Sequence, residues 1–390
     1  MNILFLFSSP DGDIFLTPKD LEKPLFLFPS MQHPFLKLGD YFNAAQAFLL
    51  EHNLESFLNT LQPREEKRSP EERIRKLLIR SEKQGALYHV ASVEIEGKSV
   101  SAKFSLVAAM TEKSREALER EYNTLTFLNK MHPSCGLPNA YCKGNQDIVH
   151  GRQTESLSFL LEEWLEGYHE WHVSRDGTGK QCLRVWDQEK GYYTASEKLF
   201  FQLFRQAARI LTLLYDPETS RQVRPWHHAA GDFVIGNLAD APTARLTTAR
   251  GYEPLLRLPG QGPKKILGNL LFFFLDMGLR MRLDRLDGEG QVTWIEGNIL
   301  PAVTEGFFSA IETMTDEGYF TETVARDFLA LLTSFSPAEL IAAFEPLVEI
   351  YREGDPEELG LIIEHLPGHV EELSSITEKF PLSNRVSWSQ

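Results

Sequence analysis

The chain has 390 residues, 42% of them apolar and 24% charged, with a formal net charge of −15. That length serves one large domain or two to three smaller ones, and the composition excludes a disordered chain. The acidic balance argues against a nucleic-acid backbone or an anionic membrane surface as partner, since both attract basic faces.

The three cysteines, Cys135, Cys142 and Cys182, form no C-x-x-C pair and no even-numbered framework, so neither a disulfide scaffold nor a zinc site is expected. The apolar run Ile3–Phe7 is too short for a signal-peptide core, and Leu270–Leu275 ends at Asp276, far short of the roughly 20 residues a membrane span needs. These features lead to the expectation of a cytoplasmic protein.

Residues 1–72 read as an N-terminal extension, with an amphipathic helix over about Tyr41–Leu61 and a polar, charged linker over Gln62–Glu72. Arg73–Ile79 reads as a helix whose basic residues form a solvated face. Tyr88–Ile95 and Ser99–Val107 are expected to be strands joined at Glu96-Gly97-Lys98 in a hairpin. Helical spacing follows over Ser114–Lys130, where Leu118, Tyr122, Leu125 and Leu128 share a face. Leu157–Leu161 reads as a buried strand, Cys182–Ala195 as a second hairpin around Gln188–Gly191, and Leu199–Tyr215 as a long helix. Beyond Lys265 the pattern is helical, with helix starts expected at Ser336-Pro337, at Asp355-Pro356 and near Pro367.

Lys103 stands in the second strand of the first hairpin among apolar neighbours, where its charge calls for a partner. Glu121, in the next helix, is the expected one, the alternative being a lysine on the exposed strand face and a glutamate on a solvated helix face. Asp232 precedes Asn237 by five residues in Trp226–Leu238, which reads as a short turn. That D-x-x-x-x-N spacing is the one kinases use, the Asp orienting the acceptor hydroxyl and the Asn holding Mg²⁺. His227 and His228 fit either a base or metal site or a structural pair. His169 and His172 are spaced to share a helix face, with packing as their expected role. No H-E-x-x-H, G-x-S-x-G, Walker or G-x-G-x-x-G pattern is present.

LEREYNTLTFLN at 118–129, GLPNAYCKG at 136–144, SFLLEEWLEG at 158–167 and AGDFVIGNL at 230–238 resemble, in order and spacing, the blocks of aminoglycoside phosphotransferase-like kinases. The resemblance covers about residues 88–252. It implies an α+β, two-lobed protein-kinase-like fold, with a small lobe over 73–166 and a large, mainly helical lobe over 167–390. It also implies an ATP- and Mg²⁺-dependent phosphotransferase acting on a small-molecule or protein hydroxyl. Lys103 would clamp phosphates, Glu121 would position it, and Glu163, Trp164 and Leu165 would form the hinge that reads the nucleotide. Asp232 would orient the acceptor with His228 as candidate base, and Asn237 with Asp232 would hold the metal.

The chain departs from that pattern in three places. Ala230 replaces the His expected before Gly-Asp, the phosphate loop has only Gly85, and Thr247-Thr248-Ala249 stand where a second metal-binding Asp belongs. Asp240 and Glu253 are the nearest carboxylates. Because Mg²⁺ takes hard oxygen ligands, the departures support a second reading, a catalytically inactive kinase-like protein that binds a nucleotide or a partner.

Overall fold

Three apolar runs, each buried on both faces along its centre, organise the first part of the chain into a sheet. The computed structural model describes residues 1–9, 12–28, 31–52, 74–85, 87–97, 101–187, 191–228, 231–236 and 241–381. The fold is α+β, and the chain divides into two units: residues 1–130 with 138–166, and residues 131–137 with 167–390.

The first unit contains β1 (Asn2–Phe7), β2 (Ile14–Phe15), α1 (Pro18–Leu21), β3 (Pro24–Phe28), β4 (Met31–Lys37) and α2 (Leu38–His52). It continues with β5 (Ile74–Gln84), β6 (His89–Gly97), β7 (Ser101–Ala109), α3 (Glu112–Met131), β8 (Ala140–His150) and β9 (Gln153–Glu163). Seven strands form one mixed sheet in the order β2-β1-β5-β6-β7-β9-β8, in which only the β1–β5 pair is parallel. The hairpin expected from the Val- and Phe-rich runs is β6–β7, and the helical period over Ser114–Lys130 is α3.

Two expectations for this unit are overturned. Arg73–Ile79 was read as helical, yet Ile74–Gln84 is a strand in the middle of the sheet. Of its basic residues, Lys76 pairs across the strands with Glu96 at 2.8 Å, and Arg80 pairs with Asp13, just before β2, at 2.6 Å. The N-terminal residues were read as an appendage, yet β1 hydrogen-bonds along β5, and Tyr41, Phe42 and Phe48 of α2 are buried in one core with Leu77, Leu106 and Phe159. An apolar sheet face must be buried against another element, and α2 covers one face here. The other packs against α3, where Leu118 meets Val107, Ala109 and Leu160. Residues 53–73, which include the expected linker and the end of the expected Tyr41–Leu61 helix, lie outside the described residues.

The second unit opens with β10 (Tyr168–His169), β11 (Trp171–Arg175), β12 (Gln181–Asp187), β13 (Gly191–Thr194) and α4 (Glu197–Leu213). Next come β14 (Arg221–Val223), β15 (Phe233–Gly236), β16 (Thr243–Leu246), β17 (Tyr252–Pro254), α5 (Pro263–Arg280), β18 (Leu283–Arg285) and β19 (Val292–Trp294). Helices α6 (Ile299–Asp316), α7 (Val324–Ser334), α8 (Pro337–Arg352) and α9 (Pro356–Lys379) follow. The second hairpin is β12–β13, joined by β11 into a three-stranded sheet.

His169 and His172 sit on β10 and β11, so they do not share a helix face as expected. Ser336 and Asp355 cap α8 and α9 as the Ser-Pro and Asp-Pro pairs predict. No helix starts near Pro367, which lies inside α9 on an exposed position. Among the described residues no single helix is long and apolar enough to cross a membrane.

Candidate functional site

Lys103 lies opposite Glu94 in the β6–β7 register, and its Nζ stands 3.5 Å from the Glu94 carboxylate and 4.4 Å from the centre of the Trp164 ring. The expected ion pair with Glu121 is therefore replaced by a cross-strand pair and a cation–π contact. The reason is geometric, since residues paired across an antiparallel ladder are brought together by the hairpin itself.

Glu121 points into the sheet from α3 and is 4% exposed; its neighbour Glu162, on β9, is 5% exposed. Burial first, and the Glu121 charge second, push the Glu162 carboxyl well above the usual carboxylate range. A proton held in the folded state and released in the unfolded one makes stability fall as pH rises above the ordinary glutamate value of about 4.3. Glu162→Gln should therefore stabilise the protein at pH 8 by roughly 1–3 kcal/mol, and by less at pH 5. Urea unfolding at the two pH values checks this, and an equal effect at both would contradict it.

Of the expected hinge residues, Glu163 accepts hydrogen bonds from the Asn139 backbone N–H at 3.2 Å and from its Nδ2 at 2.9 Å. Trp164 is committed to Lys103, and Leu165 is half-buried.

In the second unit Asp232 is 1% exposed. Both of its oxygens are taken by one guanidinium: Arg250 Nη1 donates to Oδ2 at 2.7 Å and Nη2 to Oδ1 at 2.6 Å. The His227 backbone N–H donates to Oδ2 at 2.8 Å. The fork geometry is the strongest ion-pair arrangement a carboxylate can enter. Gly231, with φ +69, lets the chain reach this position, for a Cβ there would stand 2.9 Å from the Glu170 carboxyl group.

The D-x-x-x-x-N stretch, expected to be a turn, is a strand from Phe233 to Gly236, paired with β16 so that Phe233 faces Leu246. The β-prone Phe-Val-Ile sequence has its partner in Ala-Arg-Leu, which explains why no loop forms between Asp232 and residue 237. Asn237, the expected metal ligand, and Asp240 lie outside the described residues. Thr247 donates its backbone N–H to the Asp232 carbonyl at 2.7 Å, and Thr248 is buried. A cation thus enters where the resemblance requires an anion, because Arg250 stands two residues beyond Thr248. Arg250 was missed in the sequence; its one signal was a basic residue directly after Thr247-Thr248-Ala249.

His228, the candidate base, is enclosed by aromatic rings. Its centroid lies 4.8 Å from Trp171, 5.3 Å from Phe204, 5.5 Å from Trp226 and 6.0 Å from Phe233. Burial lowers its pKa to about 3, so the ring is neutral at neutral pH and a weak base. His227 is lowered to about 4 by burial and then by Arg280, whose Nη2 stands 3.1 Å from His227 Nε2. Arg280 lies 4.0 Å from Glu358 and over the Trp226 and Tyr351 rings, which ties α5, α8 and α9 to the segment leading into Asp232. Among the described residues no group of three His, Cys, Asp or Glu side chains is placed to hold a metal ion.

No protein-family model matches the chain, and no curated protein matches it.

Proposed function

We propose that the chain is a catalytically inactive kinase-like protein that serves as a binding or regulatory module, not a phosphotransferase. The kinase-like part of the reading rests on element order: Lys103 lies on the third strand of the run β5-β6-β7, and Glu121 on the helix that follows, as in kinases. In this reading the first unit is the small lobe and the second the large, mainly helical lobe.

The observation that carries the loss of catalysis is the closure of both Asp232 oxygens by Arg250. An acceptor-orienting aspartate must offer an oxygen to the incoming hydroxyl. This one is buried, and three hydrogen bonds already engage its two oxygens. The described residues also fit an ATP–Mg²⁺ centre poorly, since the phosphate-clamping role of Lys103 competes with Glu94 and Trp164, and Thr248 replaces a hard carboxylate.

Thermal unfolding with ATP, with and without Mg²⁺, tests this. A kinase-type nucleotide site would raise stability by roughly 2.7 kcal/mol at about 100 times Kd. The expected result is no Mg²⁺-dependent gain and no difference between wild type and Lys103→Ala. A Mg²⁺-dependent gain that Lys103→Ala removes would favour the phosphotransferase reading.

A further inference from the structure

The seven-stranded sheet ends on one side at β8, a long strand running from Ala140 to His150. Within the sheet only β9 pairs with it, so its outer edge carries backbone N–H and C=O groups that meet no other backbone among the described residues. The phase of that edge follows from the β8–β9 hairpin. His150 and Gln153 flank the two-residue turn Gly151-Arg152, with Gly151 at φ +62, and so form a hydrogen-bonded pair. Because antiparallel ladders alternate, Gly144, Gln146 and Ile148 also turn their backbone groups to β9, while Lys143, Asn145, Asp147 and Val149 turn theirs outward.

The side chains of that outward set share the α3 side of the sheet. Lys143 pairs with Glu119 of α3 and lies 4.9 Å from the centre of the Tyr122 ring, and Asn145 accepts from Ser158 Oγ at 2.7 Å. The alternate residues face α2, where a Cβ on Gly144 would stand 3.1 Å from the Phe48 ring and His150 Nε2 is 3.1 Å from the Asp40 carboxylate. Asp147 is exposed and makes no hydrogen bond or ion pair among the described residues, and Val149 is 67% exposed. Edge strands are ordinarily blunted by proline or by lysines reaching into solvent. This one has no proline, and its one lysine is drawn onto α3.

We propose that β8 is an interface between two copies of this chain, which pair antiparallel about a two-fold axis at Asn145 and join their sheets edge to edge. Charge selects a second copy as the occupant. When a strand pairs with itself about a two-fold axis, residues equally far before and after the centre stand opposite each other. Centred on Asn145, Lys143 of each copy faces Asp147 of the other, both in the outward set, and the favourable pair occurs twice. Centring on Lys143 or on Asp147 would set like charges opposite each other, and centring on Gly144 or Gln146 would set neither charge opposite the other. The irregular register between Ala140 and Cys142 ends the ladder at that side. The interface belongs to the sheet alone and stands whether or not Asp232 is catalytic.

Sedimentation velocity of the full chain over a dilution series tests the association, and disulfide cross-linking tests the register. The wild type should show a monomer–dimer equilibrium. Asp147→Lys, which sets lysine opposite lysine twice, should weaken it by roughly tenfold or more; circular dichroism checks that this variant is folded. Under mild oxidation Asn145→Cys should give a linked dimer, because residue 145 faces itself across the axis. Asp147→Cys should not link alone but should link when mixed with Lys143→Cys, and the wild type should not link, since Cys142 faces Ile148. A chain that stays monomeric at every concentration, a dimer undiminished by Asp147→Lys in the folded variant, or linking of Asp147→Cys alone as complete as that of Asn145→Cys would each overturn the proposal.

Discussion

Arg250→Ala is expected to lower the unfolding free energy by roughly 3–5 kcal/mol, because it leaves Asp232 buried and charged with no guanidinium to meet it. In a unit of this size that corresponds to a fall of about 10 °C or more in melting temperature. The Asp232 carboxylate is 1% exposed and the Arg250 side chain 19%, so water screens the pair little. The double substitution Arg250→Met with Asp232→Leu should recover more than half of the loss, since it removes the stranded charge along with the pair. Urea unfolding of the four proteins measures this. A single-variant loss below about 1 kcal/mol would mean that the pair is not structural.

Gly306→Ala is expected to cost about 3 kcal/mol through a different mechanism. Gly306 lies on α6 where that helix crosses α4, and a Cβ there would run into the Arg205 carbonyl oxygen while lying 3.1 Å from the Ala208 Cβ. The obstruction is backbone, so no rotamer change relieves it, and the two helices must separate. That opens the core around Phe307 and Ala208, both fully buried. Denaturant unfolding should show a lower midpoint with an unchanged slope; a midpoint within error of wild type would contradict the helix crossing described here.

Local periodicity explains which parts of the fold were legible. The β6–β7 hairpin and α3 follow from patterns contained within single segments, period two in one case and three to four in the other. The strand Ile74–Gln84 was misread because Ile74, Leu77 and Leu78 fall at i, i+3 and i+4, a helical spacing produced here by a strand buried on both faces. The ion pairs were harder. Glu94 is Lys103's partner through the register of a hairpin whose existence was legible, but the residue opposite Lys103 follows only from the exact register, which the hairpin signal does not fix.

The pairing of Asp232 with Arg250 spans 18 residues and depends on β15 and β16 folding against each other. Phe233-Val234-Ile235 carries a strand signal of its own, which the D-x-x-x-x-N spacing masked.

The central claim, that Asp232 is held as a structural anion and does not orient a phosphoryl acceptor, is tested most directly by ATP turnover of wild type and Asp232→Asn across a Mg²⁺ and Mn²⁺ titration. The account predicts that phosphate release by both proteins stays at the rate of buffer alone at every metal concentration, while Asp232→Asn unfolds more readily. Metal-dependent turnover by wild type that Asp232→Asn removes would contradict it and make the chain a phosphotransferase.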